Sequence, residues 1–194
     1  ESIVNPPSHC TSCGKQLTAL ELIPVLSYLI QGGKCKGCGV KVSPIYCFTE
    51  ILTALLFALC YVKFGFTAEL AVALLFVSLL IIINVSDIAY MLIPNKILLF
   101  FLPFLIVARI ISPLEPWWDS LLGAVIGFSM LLLIAVVSKG GMGGGDIKLF
   151  FLIGLVLGTI HTLLTLFLAS VVGMIVGIIV FLPFKKVFYA HYKR

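Results

Sequence analysis

An all-α polytopic membrane protein, with about six transmembrane helices behind a small N-terminal metal-binding module, is the fold class this sequence predicts. Three observations predict it. Of the 194 residues, 61% are hydrophobic and 11% charged, against about 45–50% and about 25% in soluble domains. The apolar residues fall in runs long enough to cross a hydrocarbon core about 30 Å thick. Residues 1–43 are different: polar, rich in turn formers, and carrying four cysteines in two pairs. The net charge of +5 would suggest nucleic acid in a soluble protein. Here a bias of lysine and arginine toward one membrane face explains it better, and no nucleic-acid partner is expected.

The N-terminal module comes first. Cys10-Thr-Ser-Cys13 and Cys35-Lys-Gly-Cys38 are two CxxC knuckles separated by 21 residues, each followed directly by glycine, Gly14 and Gly39. That is close to the spacing of a structural zinc site, in which four thiolates close the shell and leave no open position for catalysis. Two disulfides are the alternative; pairing within a CxxC is strained and a cytoplasmic face is reducing, which favours zinc. His9 adjoins Cys10, but four cysteines suffice. Between the knuckles, LTALELIPVLSYLI has helical apolar spacing suited to the membrane surface. Cys47 and Cys60 read as small packed residues in the span that follows.

From Pro44 the spacing predicts spans at about 44–63, 69–86, 95–111, 118–138, 146–158 and 160–184. The domain division is therefore 1–43 for the metal module and 44–194 for the membrane domain. Leu149 to Leu182 carries no charge, yet as one helix it would run about 50 Å, so the chain is expected to break at Gly158-Thr159. Six spans place both termini on one side. That side then holds Lys15, Lys34, Lys36, Lys41, Lys96, Lys139, Lys148, Lys185, Lys186, Lys193 and Arg194, while Lys63 and Arg109 lie opposite. Eleven against two orients residues 1–43 toward the cytoplasm.

The same topology places two acids at one membrane edge. Asp87 ends the second span in NVSDIAYMLIPN; Asp146 opens the fifth after the glycine run KGGMGGGDIKL. An Asp beside a hydrophobic segment is costly to keep and usually has a task. Two carboxylates, one ionised to activate water and one protonated to polarise a carbonyl, form the machinery of an aspartyl protease. Asp146 sits at a helix N-terminus, where the macrodipole favours an anion and Lys148 is near. Asp87 sits at a C-terminus, so Asp146 is expected to hold the charge and Asp87 the proton, although the pair titrates as a unit. The bland reading makes Asp146 a helix cap and the glycines a connector; five glycines in six ending on an Asp are hard to explain that way. The competing function is a transporter that uses the Asp pair for protons or metal, which predicts mid-membrane acids and an inverted repeat. Neither is visible in the sequence.

Lesser features complete the reading. Glu50 inside the first span is expected to pair with a neighbour or anchor the metal module. Arg109 is expected to snorkel outward. Gly123/Gly127, Gly154/Gly158 and Gly173/Gly177 form GxxxG pairs that read as helix-packing faces, and Trp117-Trp118 as an interfacial belt.

Together these residues resemble a known family. Gly143-Gly144-Gly145-Asp146 within GMGGGDIKL resembles the GxGD motif of the prepilin peptidases (type IV leader peptidases), intramembrane aspartyl proteases. DIAYMLIPN resembles the segment bearing that family's first catalytic Asp, and the tetracysteine module with Tyr46-x-x-x-Glu50 its cytoplasmic domain. The resemblance implies an aspartic endopeptidase of the bacterial inner membrane. It would remove the basic leader from type IV prepilins, pseudopilins or competence pilin-like proteins on the cytoplasmic side, after a glycine. It assigns catalysis to Asp87 and Asp146, and zinc to Cys10, Cys13, Cys35 and Cys38. Many members also N-methylate the new N-terminus, so S-adenosylmethionine is the cofactor expected where that activity is retained. The family pattern has a further membrane segment ahead of Glu1 and another after Arg194, and proline where this chain has Cys47. The glycine loop, Gly143 to Gly145, is expected to hydrogen-bond an extended scissile segment as an added strand would, while the substrate's apolar helix stays in the bilayer.

Overall fold

A computed structural model describes the backbone of residues 8–10, 12–139 and 141–192, and side chains up to residue 179. A 3-10 turn, Ala19–Leu22, and a short helix α1, Leu26–Ile30, lie between the knuckles. Long helices follow: α2 Pro44–Phe64, α3 Ala68–Tyr90, α4 Asn95–Ile111, α5 Asp119–Val137 and α6 Gly144–Tyr192. No strand occurs among the described residues, only two isolated bridges within the knuckles. Contacts divide the chain into two units, Glu1–Tyr90 and Met91–Arg194.

In the first unit, the helical segment predicted between the knuckles is interrupted at Pro24 into the 3-10 turn and the short helix α1. Pro24 lacks the N–H that would continue the ladder and biases Ile23 toward extended backbone, and Ile23 has ψ 119. Ser43 caps α2 by accepting from the Ile45 N–H, with Pro44 at the first helical position, where a missing donor costs nothing. Helix α3 runs to Tyr90, four residues past the expected end, so Asp87 lies within its last turn instead of after it.

The second unit is built on glycine. A Cβ added at Gly123 would lie 2.5 Å from the Gly154 carbonyl oxygen and 2.6 Å from the Gly158 carbonyl carbon. One at Gly127 would lie 2.7 Å from the Phe150 oxygen and 3.1 Å from the Thr162 methyl. Backbones of α5 and α6 thus meet directly, as small-xxx-small pairs allow. Gly173 and Gly177 differ: no atom lies within 4 Å of a Cβ at either, so this third pair is not a packing face among the described residues.

The Gly127 contacts also decide the course of α6. Phe150 and Thr162 stand twelve positions apart, about 18 Å along a straight helix, yet both touch the same point. The chain therefore folds back at Gly158, whose φ of 76° and ψ of −178° are open to glycine and strained for any other residue. The fifth and sixth predicted segments are two arms of one broken helix. α2, α3, α5 and α6 through Ile179 are each long and apolar enough to cross a membrane, and α4 adds 17 residues.

A break inside a hydrophobic segment exposes backbone groups that lipid cannot satisfy. Here each is met. The Arg109 guanidinium donates to the Val156 carbonyl at the end of the first arm, and to Ser112 O at 3.1 Å. The Asp119 carboxylate accepts from Thr159 N–H at 3.2 Å at the start of the second arm. The Thr162 hydroxyl donates to Gly158 O at 2.6 Å. Cation at a helix C-terminus and anion at an N-terminus match the helix dipoles. The expectation that Arg109 reaches outward is therefore corrected: it is buried, at 7% exposure, because carbonyls freed by the break need a donor.

Candidate metal centre and carboxylate site

The two knuckles are built alike. Cys10 N–H donates to Lys15 O and Gly14 N–H to Cys10 O, both at 2.9 Å; Cys35 N–H donates to Val40 O at 2.9 Å and Gly39 N–H to Cys35 O at 2.8 Å. Each loop closes through a glycine of positive φ, Gly14 at 69° and Gly39 at 72°, a conformation costly for residues with a Cβ. The repeated turn brings the four sulfurs Cys10, Cys13, Cys35 and Cys38 within 4.8 Å of one another.

These distances discriminate between the two chemistries left open by the sequence. Cys10 and Cys38 sulfurs lie 3.8 Å apart, Cys13 and Cys35 sulfurs 4.0 Å. A disulfide needs about 2.0 Å, and all four cysteines are free. A tetrahedral ion with metal–sulfur bonds of about 2.3 Å has edges of about 3.8 Å. The four residues fit such an ion. Backbone amides already favour thiolate at two of them: those of Ser12 and Cys13 lower Cys10 to about 6, and those of Cys38 and Gly37 lower Cys35. At Cys38 the Val40 amide acts in the same direction, but burial and the neighbouring thiols outweigh it and push the group up to about 11. Without a cation among them, four sulfurs this close cannot all ionise.

Two acids brace the module. Glu21 accepts from Thr18 N–H at 2.9 Å and pairs with Lys15 at 3.3 Å; the Thr18 amide first, then Lys15, hold it below the usual carboxylate range. Glu50, on α2, accepts from Val25 N–H at 2.7 Å. Val25 has φ 61°, a strained value for a β-branched residue, so Glu50 ties the inter-knuckle segment to the first membrane helix. Of the two roles considered for Glu50, the anchor is the one the geometry supports.

The glycine run divides by task. Asp146 is the third residue of α6, and its N–H donates to Gly143 O at 3.1 Å. A Cβ at Gly143 would lie 3.0 Å from Asp146 Oδ2, so glycine there leaves room for the carboxylate. A Cβ at Gly145 would lie 2.7 Å from Ile93 Cβ: this glycine seats the segment that leads into α4. Nothing lies within 4 Å of a Cβ at Gly144. Asp146 is half-buried, and no described residue donates a hydrogen bond to its carboxylate, so it is not spent on capping its own helix. Asp87 belongs to the other unit and sits one turn from the end of α3.

The sequence of this geometry is shared with proteins of known activity. The profile of the bacterial Peptidase A24 N-terminal domain matches residues 1–64, and that of the type IV leader peptidase family matches residues 74–178. The chain belongs to the type IV leader peptidase family. The prepilin leader peptidase/N-methyltransferase of Bacillus subtilis is 52% identical over 176 residues, covering 91% of this chain and 71% of that protein. Those of Myxococcus xanthus and Pseudomonas aeruginosa are each 35% identical, over 187 and 183 residues; they cover 94% and 92% of this chain, and 56% and 63% of their own length. The chain thus spans between about half and three quarters of these relatives. No solved structure matches it. Both profiles bear on the site: the first covers this family member's four sulfurs and Glu50, the second both Asp87 and Asp146. What sequence reasoning missed is the set around the break, Arg109, Asp119 and Thr162. Their one signal was a charge at each end of the α4–α5 connection.

Proposed function

We propose that this chain is an aspartic endopeptidase that removes the leader from type IV prepilins or related pilin-like proteins, with Asp87 and Asp146 as its catalytic pair. Family membership, with a 52% identical relative of that activity, carries the reading. The local geometry supports it. Asp146 stands at a helix N-terminus beside an open glycine backbone. In the proposed reaction one carboxylate takes a proton from water as it attacks the scissile carbonyl. The other, protonated, donates to the carbonyl oxygen to give a tetrahedral diol. As the C–N bond breaks, it recovers a proton from that diol while the first passes the proton taken from water to the leaving amine. In this reading Asp146 takes the part of the base, since it stands at the N-terminus of α6, where a helix dipole favours an anion.

The supporting parts follow from the same reading. The four thiolates hold zinc, which supplies a closed structural shell and no reaction step. Residues 1–43 and the membrane domain from residue 44 act as separate modules, the former on the cytoplasmic face of the inner membrane, as the eleven-to-two charge bias supports. N-methylation of the product, an activity named for the relatives, calls for S-adenosylmethionine. A cavity of ≈ 470 Å³ beside the knuckles has Tyr28, Tyr46, Glu21 and Glu50 in its lining, together with Lys34 and Lys41.

The deciding experiment co-expresses a prepilin with the wild type, with Asp87→Asn and with Asp146→Asn, and follows leader removal on gels. Mass spectrometry of the mature N-terminus reads methylation in the same samples. Cleavage by wild type alone supports the reading; cleavage by either Asn variant ends it.

Three further expectations arise from the site. Gly144→Val is expected to fold normally and impair cleavage, because the Cβ meets no protein atom yet occupies the approach to the backbone. Gly145→Ala, pressed against Ile93, is expected to lower thermal stability by about 1–3 kcal/mol. Normal turnover by Gly144→Val in the prepilin assay would remove the glycine backbone from substrate binding. For the metal, purified protein is expected to carry one zinc per chain. Its removal by a strong chelator should open residues 14–34 to protease, since structural zinc contributes about 10 kcal/mol or more to small modules. Resistance to protease after metal loss would show that the module folds without it.

A further inference from the structure

The second unit contains an apolar groove to which the proposed reaction assigns no part. It has a volume of ≈ 390 Å³ between α4, α5 and the first arm of α6, with walls formed chiefly by Leu98, Leu102, Phe128 and Phe151. Only two polar side chains line it, Asn95 and Lys148. Lys148 Nζ donates to Asn95 Oδ1 at 3.0 Å, and no described carboxylate neutralises it. Asn95 is the first residue of α4 and Lys148 the fifth of α6, so two helix N-termini, both positive ends, open at the same mouth. No side chain caps α4 there. An apolar groove thus ends at a cation that no described carboxylate neutralises.

Its complement has an apolar tail and an anionic head. We propose that this groove binds one acyl chain of an anionic phospholipid, with the lipid phosphate on Lys148 and Asn95. Three points favour a lipid over the peptide substrate. Lys148 stands two positions after Asp146, about 200° around the helix, so the groove faces away from the carboxylate. An extended peptide would leave its amides unsatisfied between leucine and phenylalanine walls, whereas an acyl chain has none to satisfy. A helix about 10 Å across would fill this volume with roughly one turn. The site tethers the start of α6, and with it Asp146, to the headgroup layer, but its occupancy does not depend on the protein being a protease.

The test reconstitutes the full chain in vesicles of equal phosphatidylglycerol and phosphatidylcholine, then counts the lipids retained after detergent release by native mass spectrometry. Wild type and Lys148→Arg should retain one phosphatidylglycerol in preference to phosphatidylcholine. Lys148→Gln should lower that preference about fivefold, the weight of one lysine at an anionic surface. Because Lys148 is exposed, its substitution leaves packing undisturbed. Leu99→Trp, at an exposed wall position, should lower retention of both lipids by filling the groove. An unchanged preference in Lys148→Gln would overturn the proposal. So would displacement of the retained lipid by a synthetic prepilin helix, which would assign the groove to substrate.

Discussion

Asp146→Asn is expected to reduce leader removal by about 10²- to 10⁴-fold, the span of a positioned general acid–base group, while leaving the protein folded. Asparagine keeps the shape of the side chain and still fits beside Gly143, so the start of α6 need not move. Under the proposed mechanism it can neither take the proton from water nor pass it to the leaving amine. Asp87→Asn should cost a similar amount for the complementary reason. Groups that act as one unit are not additive, so the double variant should be no slower than the slower single one. Time courses with purified prepilin in detergent would measure all three. Additive losses would mean two independent roles and would dismantle the shared-proton mechanism. The same data bear on the transporter alternative, under which cleavage would not occur in any variant. A broken helix is a feature that transporters do use. Here both sides of the break at Gly158 already hold a charged side chain of the protein, Arg109 on Val156 O and Asp119 on Thr159 N–H, in the place a transported ion would take.

Gly154→Val should be the most damaging substitution for the fold. A Cβ at this position runs into Gly123 backbone and lies 2.6 Å from Ala124 N, so no side-chain rotation relieves it. Overpacking costs about 1–3 kcal/mol where side chains can yield, and more where only backbone can. About 3 kcal/mol or more is expected here, with separation of α5 from α6 and loss of the folded protein from membranes. Thermal unfolding in detergent would measure it, with Gly144→Val as the control in which the same change meets open space. Equal melting temperatures for the two variants would show that the α5–α6 contact is looser than described.

The sequence by itself determined much of this protein, because the signals involved are local or additive. Apolar runs set α2 to α5 to within a few residues, since span length follows from bilayer thickness. A 34-residue uncharged run that is too long to cross once located the turn at Gly158-Thr159. The CxxC-Gly repeats fixed a four-sulfur module because each knuckle closes on its own glycine. The family was legible from the order of three motifs. Tertiary structure decided the rest, where pairing over long separations is involved. Arg109 lies 47 positions from Val156, and Asp119 lies 40 from Thr159; no local pattern says which backbone groups a break will orphan or which charge will meet them. GxxxG spacing is equally silent on partners: Gly154 packs against Gly123, whereas Gly173 packs against nothing described. Nor could spacing rank the glycines before Asp146. Which of them faces Ile93, which the carboxylate and which open space depends on how α4 lies against α6, and that is settled only when the helices meet.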